Sequence, residues 1–139
     1  MTSNQPALIL LVDDYEDNRE MYAEYLAFKG FRVQTAASGQ EAIRAIETEV
    51  PALVLMDIGM QGMTGTEAMR LLRDQHMCDE TPIIALTGFA LESETTQALA
   101  DGFDAVIPKP CLPEDLVFIV TSVLADSTLN VRQESAGGE

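Results

Sequence analysis

At 139 residues the chain has the length of one domain with a single sizeable core, and its 8 Lys and Arg against 23 Asp and Glu leave a net charge of −15 at pH 7. That deficit excludes a phosphate-backbone binder and speaks against docking on anionic lipid, both of which need clustered positive charge. A hydrophobic content of 47% excludes wholesale disorder, and the cysteines Cys78 and Cys111 make neither a metal spacing nor a disulfide framework.

Apolar runs and helical patterns alternate along the chain. Ala7 to Val12 is the longest unbroken apolar run, too short to span a bilayer, and reads as a strand buried on both faces. It stops at Asp13-Asp14. Glu16 to Lys29 lacks Gly and Pro and carries Met21, Tyr22, Tyr25, Leu26 and Phe28, which predicts a helix closed by Gly30. Phe31 to Ala36 reads as a strand. Ser38 with Glu41 three residues on predicts a capping box, followed by a helix with Ala42, Ile46 and Val50 on its apolar face. Ala52 to Met56 is a further buried strand, ending at Asp57. A loop with Gly59, Gly62 and Gly65 leads into a helix with Ala68, Leu71 and Leu72 at core spacing. Pro82 opens the strand Ile83 to Leu86, which ends at Thr87. Leu91 to Asp101 is a weaker helix, since Thr95 and Thr96 are β-branched, and Gly102 closes it. Ala105 to Ile107 is a short fifth strand stopped by Pro108-Lys109-Pro110. Pro113 starts a last helix with the stripe Leu116, Ile119, Val120 and Val123.

Strands alternating with helices indicate an α/β fold with a doubly wound, five-stranded parallel sheet. Pro108 lacks an N–H and is best tolerated on an edge strand, which favours the flavodoxin-like order 2-1-3-4-5. The expected organisation is an extension at 1–5, one domain over 6–125 and a polar, disordered tail at 126–139. The first residues show no basic patch, long apolar stretch or small-residue cleavage site, so a cytoplasmic protein without membrane attachment is expected.

In such a sheet a ligand sits outside the carboxyl ends of the strands, where the order reverses between strands 1 and 3. Asp13 and Asp14 follow strand 1, Asp57 follows strand 3, Thr87 follows strand 4 and Lys109 follows strand 5. Three carboxylates at neighbouring ends repel one another and demand a positive partner. A hard divalent cation, Mg²⁺ or Mn²⁺, suits oxygen donors with no soft ligand among them. Lys109 adds a point charge and Thr87 a hydroxyl, both suited to phosphoryl oxygens. The set looks like a phosphoryl-transfer site with a carboxylate nucleophile. Singly, each residue has a plainer reading: Asp14 as a helix N-cap, Asp57 as a turn residue, Lys109 as a surface charge.

The sequence resembles the receiver domain of two-component response regulators, the CheY-like family. The resemblance covers residues 6–125 and rests on Leu-Val-Asp-Asp (11–14), Leu-Met-Asp-Ile (55–58), Thr64-Gly65, Ala-Leu-Thr-Gly (85–88), Asp101-Gly102-Phe103-Asp104 and Lys109-Pro110. It implies a single-domain response regulator whose Asp57 accepts a phosphoryl group from a histidine kinase or a histidine phosphotransfer protein. It implies that Asp13, Asp14, Asp57 and the carbonyl of Gly59 hold Mg²⁺, with Asp13 acting through water. Thr87 and Lys109 would meet the phosphoryl group, and the Lys109-Pro110 bond would be cis. Such a protein is a phosphoacceptor switch rather than an enzyme in the ordinary sense. It would signal through the surface of strand 4, the following helix and strand 5 to a downstream protein, or relay phosphate, with no direct contact to nucleic acid.

Three positions depart from the family pattern. Val106 stands where an aromatic switch residue is usual, so an aromatic in/out signal is not expected there. Gln61 replaces a usual proline, which predicts a more mobile loop. Phe89 is bulky beside the expected phosphate and would slow its hydrolysis. Two other classes remain open at this point. A Mg²⁺-dependent phosphohydrolase with an aspartyl nucleophile would want a second carboxylate two residues after the one on strand 1, which Asp13-Asp14-Tyr15 lacks. A pseudo-receiver would bind partners without phosphorylation. An FMN-binding flavodoxin-like protein is disfavoured by the acidic switch point. His76 near Cys78 and Asp79 is expected to be an exposed helix-end residue, and most of the methionines to be packing.

Overall fold

The computed structural model describes residues 5–88 and 92–137, with side chains as far as Ala125. Strands and helices alternate as β1 (Leu8–Val12), α1 (Glu16–Phe28), β2 (Arg32–Ala36), α2 (Gly39–Thr48), β3 (Leu53–Asp57), α3 (Gly65–Asp74), β4 (Ile83–Thr87), α4 (Glu92–Asp101), β5 (Ala105–Pro108) and α5 (Pro113–Gly137). The five strands form one parallel sheet in the order β2-β1-β3-β4-β5.

The unbroken apolar runs become the central strands because both of their faces are covered. Every residue of β1, β3 and β4 is buried, whereas β2, at one edge, is buried only at Ala36. Alternate side chains feed two separate cores. Leu10, Val12, Val54, Met56, Ile83 and Ala85 pack under α2, α3 and α4. Ile9, Leu11, Leu53, Leu55, Ile84 and Leu86 pack under α1 and α5. Each fully buried aliphatic side chain stabilises the fold by about 1.5–3 kcal/mol relative to exposure. Pro108 ends β5 on the outer edge, and the next residue resumes the ladder with Lys109 N–H donating to the Thr87 carbonyl at 2.7 Å. The missing proline N–H therefore costs no ladder bond.

Several local readings change on inspection. Ser38 caps α2 by accepting from the Glu41 N–H at 3.1 Å, but the Glu41 carboxylate accepts from Ala37 N–H rather than from the cap residue. The complete capping box is at Thr64 and Glu67, at the start of α3. Val50 falls beyond the end of α2 and is 54% exposed. On α3 the inward face is Ala68, Met69 and Leu72, while Leu71 lies near the outer margin. The backbone of α5 is helical from Pro113 to Gly137, and neither Gly nor Pro interrupts residues 114–136. Among the described residues no helix is long and apolar enough to cross a membrane.

Gly65 sets how closely α3 approaches the end of β3. A methyl group there would overlap the Asp57 carbonyl oxygen and lie 2.7 Å from Ile58 Cα, both of them backbone atoms that cannot turn aside. At Gly88 a methyl would meet nothing within 4 Å. Gly65→Ala should therefore lower stability by about 1–3 kcal/mol in urea unfolding, the usual cost of overpacking, with Gly88→Ala close to wild type.

Candidate functional site

The strand ends deliver their side chains to one rim because the backbone ladder runs past the last strand residue. Asp13 N–H donates to the Ala36 carbonyl at 3.1 Å, and Ile58 N–H to Leu86 at 3.0 Å. Asp13 is fully buried, and Asp57 and Thr87 are nearly so, while Asp14 is exposed. Each of Asp13, Asp14 and Asp57 offers a carboxylate oxygen, and these atoms lie within 4.8 Å of one another. Lys109 Nζ sits 3.3 Å from Asp57 Oδ2 and 3.4 Å from Asp13 Oδ2.

The remaining oxygens are spoken for by local backbone. Asp13 Oδ1 accepts from Tyr15 N–H at 2.9 Å, and Asp57 Oδ1 accepts from Gly59 N–H at 2.9 Å. The turn role of Asp57 and its place in the cluster are therefore both real. Asp14 is not a helix cap: the N-cap of α1 is Tyr15, which supplies no side-chain bond, and Asp14 Oδ2 accepts instead from Gln61 N–H at 3.2 Å. That bond ties the β3–α3 loop to β1. A proline at position 61 would lack the donor, so the departure that suggested a mobile loop gives it a tether.

Burial raises the Asp13 carboxyl above its ordinary range, an effect that the Tyr15 N–H and the Lys109 charge only partly offset. Burial alone would depress Lys109, but the Asp57 and Asp13 carboxylates outweigh it and hold the ammonium above the usual lysine range. The pocket thus keeps Lys109 charged and makes a charged Asp13 costly. An all-oxygen acidic cluster of this kind fits a hard divalent cation.

A model of the response regulator receiver domain matches residues 9–121. The chain belongs to that family. This receiver is 35% identical over 123 residues to response regulator MprA of Mycolicibacterium vanbaalenii, covering 88% of this chain and 52% of MprA. Its fold superposes on Vibrio cholerae chemotaxis protein CheY4 with a TM-score of 0.80 at 31% identity, covering 85% of this chain and 98% of CheY4. A CheY-like receiver domain protein from Methanospirillum hungatei gives 0.82 at 30% identity, over 91% and 99% of the two chains. The receiver spans about half the length of MprA and of other response regulators that it matches. Receivers form a family of phosphoacceptor switches, not conventional enzymes, that partner with histidine kinases and bind Mg²⁺ at an acidic pocket.

The Lys109-Pro110 peptide of the receiver is cis. Val106 packs against the core on the α2, α3 and α4 side. Phe89 lies outside the described residues. His76, at the end of α3, points its ring at Asp79 at 3.0 Å with 79% of its side chain exposed, apart from the acidic cluster. Met56, Met60 and Met69 are buried, and Met63 and Met77 pack against the same core. Burial and the neighbouring Asp115 push the Cys111 thiol up, away from thiolate chemistry.

Two site residues carry no motif signal. Arg19 Nη1 donates to the Asp13 carbonyl at 2.9 Å, bracing the β1–α1 junction. The Tyr22 hydroxyl donates to the Cys111 carbonyl at 2.7 Å. The available hint was that Tyr22 shares the inward face of α1 with Leu26, and a buried phenol needs an acceptor.

Because burying a charged Asp13 is unfavourable, Asp13→Asn should raise the melting temperature of the metal-free protein at neutral pH by a few degrees, roughly the effect of about 1 kcal/mol. With the folded pKa raised above 3.8, the wild type loses stability as pH rises through that window. The advantage of Asp13→Asn should then vanish below about pH 4 and grow above it in thermal scans. A variant less stable at neutral pH would show that Asp13 is held mainly for its hydrogen bonds.

Proposed function

We propose that this receiver accepts a phosphoryl group on Asp57 from the phosphohistidine of a histidine kinase or histidine phosphotransfer protein. It then signals to a downstream protein through the β4–α4–β5 surface or passes the group onward. One observation carries the reading: Lys109 Nζ stands between Asp57 Oδ2 at 3.3 Å and Asp13 Oδ2 at 3.4 Å, in the same cluster as Asp14.

An oxygen of Asp57 would form the bond to phosphorus as the bond to the imidazole nitrogen breaks, with the electron pair remaining on the ring. Gly59 N–H orients the acceptor by holding Asp57 Oδ1. Lys109 offsets the charge of the transferred group, and Thr87 offers it a hydroxyl from the end of β4. Asp13, Asp14, Asp57 and the Gly59 carbonyl are the residues that would hold Mg²⁺ or Mn²⁺. Bound there, the cation would supply the positive charge that the carboxylates and the phosphoryl oxygens both require. A cytoplasmic setting belongs to the same reading, supported by the net charge of −15, which disfavours anionic lipid and nucleic acid as direct partners.

Incubation with Mg²⁺ and acetyl phosphate should give an acid-stable, base-labile adduct of one phosphoryl group, lost in Asp57→Asn. No adduct on the wild type would favour a pseudo-receiver that binds partners without phosphorylation, and steady turnover of phosphate esters would favour a hydrolase. Mg²⁺ alone should raise the melting temperature by mass action, by about 2.7 kcal/mol in stability at one hundred times its Kd, and by much less in Asp14→Ala. A melting temperature indifferent to Mg²⁺ would count against the cation site.

A further inference from the structure

The side chain of Lys109 is long and flexible, and its contacts to Asp57 and Asp13, at 3.3 and 3.4 Å, exceed the 2.7–2.9 Å of a strong charge-assisted bond. Where the ammonium rests therefore depends on how firmly the backbone beneath it is held. On the strand side Lys109 N–H donates to the Thr87 carbonyl at 2.7 Å. Beyond it the chain leaves the sheet, and the helical ladder of α5 begins with Leu116 N–H on the Leu112 carbonyl. Between those points stands the bond from the Tyr22 hydroxyl to the Cys111 carbonyl, 2.7 Å long and joining residues 89 apart in sequence.

We propose that Tyr22 is a positioning residue for Lys109, its phenol holding the β5–α5 loop so that the ammonium stays between Asp13 and Asp57. This rests on the phosphoacceptor reading for its consequence, though not for its geometry. The ring is 2% exposed and belongs to the core formed by Leu26, Leu116 and Val120, so the hydroxyl is aimed from a rigid base. Burial raises the phenol above its ordinary range, and it stays a donor throughout the neutral region. The same helix reaches the other side of the cluster, because Arg19 Nη1 donates to the Asp13 carbonyl. One element, α1, thus carries the tethers for the acidic loop and for the basic loop that faces it.

Tyr22→Phe keeps the ring and removes only the donor. In the metal-free protein, hydrogen exchange at the Lys109 amide, which donates to the Thr87 carbonyl, should quicken, with Leu10 and Leu55 in the central strands unchanged. Phosphorylation by acetyl phosphate in saturating Mg²⁺ should slow about three- to tenfold, the loss of one hydrogen bond expressed as a rate. The Kd for Mg²⁺ should not rise, since the bond holds Lys109 rather than a cation ligand and a looser ammonium opposes the cation less. In a Lys109→Ala background Tyr22→Phe should have no further effect. Unchanged exchange at Lys109, or the same fold-loss in the Lys109→Ala background, would overturn the proposal. A wild type that takes up no phosphoryl group would sink the phosphoacceptor reading instead, and exchange at Lys109 would then decide the tether alone.

Discussion

Like charges gathered at one edge are the constraint on which the rest of this molecule depends. A parallel sheet has all its carboxyl ends on one rim, so the residues after β1 and β3 are neighbours whatever their charge. Here they are acids, with Asp13, Asp14 and Asp57 offering oxygens within 4.8 Å of one another. Two such charges repel by about 4 kcal/mol at 4 Å if the effective dielectric is about 20, against a net stability of about 5–15 kcal/mol for a domain. Asp14 is exposed and its share is screened, but Asp13 and Asp57 are buried and theirs is not. The Lys109 ammonium is what allows both to remain at the rim.

That dependence explains why so much of the surrounding backbone is fastened. Asp13 and Asp57 each spend one oxygen on an amide two residues on, which fixes the carboxylate and turns the chain out of its strand. The loop after β3 is pinned at three places: by Gln61 N–H on Asp14, by the capping box at Thr64 and Glu67, and by the close backbone contact that only Gly65 permits. The site is therefore held by its own backbone at several points.

The fold was legible because the central strands are continuous apolar runs and the helices are punctuated by Gly30, Gly102 and Pro113, so period and breakers agreed. The rim residues were legible for the same reason, since a strand end and a polar residue coincide at Asp13, Asp57, Thr87 and Lys109. What stayed hidden depends on contacts distant in sequence. Nothing near Tyr22 indicates an acceptor 89 residues away, and nothing near Gln61 indicates that its amide faces Asp14. On α3 the apolar spacing points to Leu71 beside Ala68 and Leu72, but Met69 fills the space beside Gly102 and Leu71 is 37% exposed.

Local stability differs between the helices in a way that bears on how a charge at the rim is felt elsewhere. Helices α2 and α3 bury Ala42 and Ile46, and Ala68, Met69 and Leu72, whereas α4 buries Ala98 alone and leaves Leu99 47% exposed. Its ion pair to α3, Arg70 with Asp101, lies at the surface, where such pairs contribute about 0–1 kcal/mol. Displacing α4 thus costs less apolar burial than displacing its neighbours, and α4 follows Thr87, the hydroxyl nearest the proposed phosphoryl group on its strand. Thr87 itself ends the fully buried β4, and its carbonyl accepts from Lys109 N–H just beyond β5. A new anionic group at Asp57 would draw on Thr87 and Lys109 together, and among the described residues the helix beside them with the least apolar burial is α4.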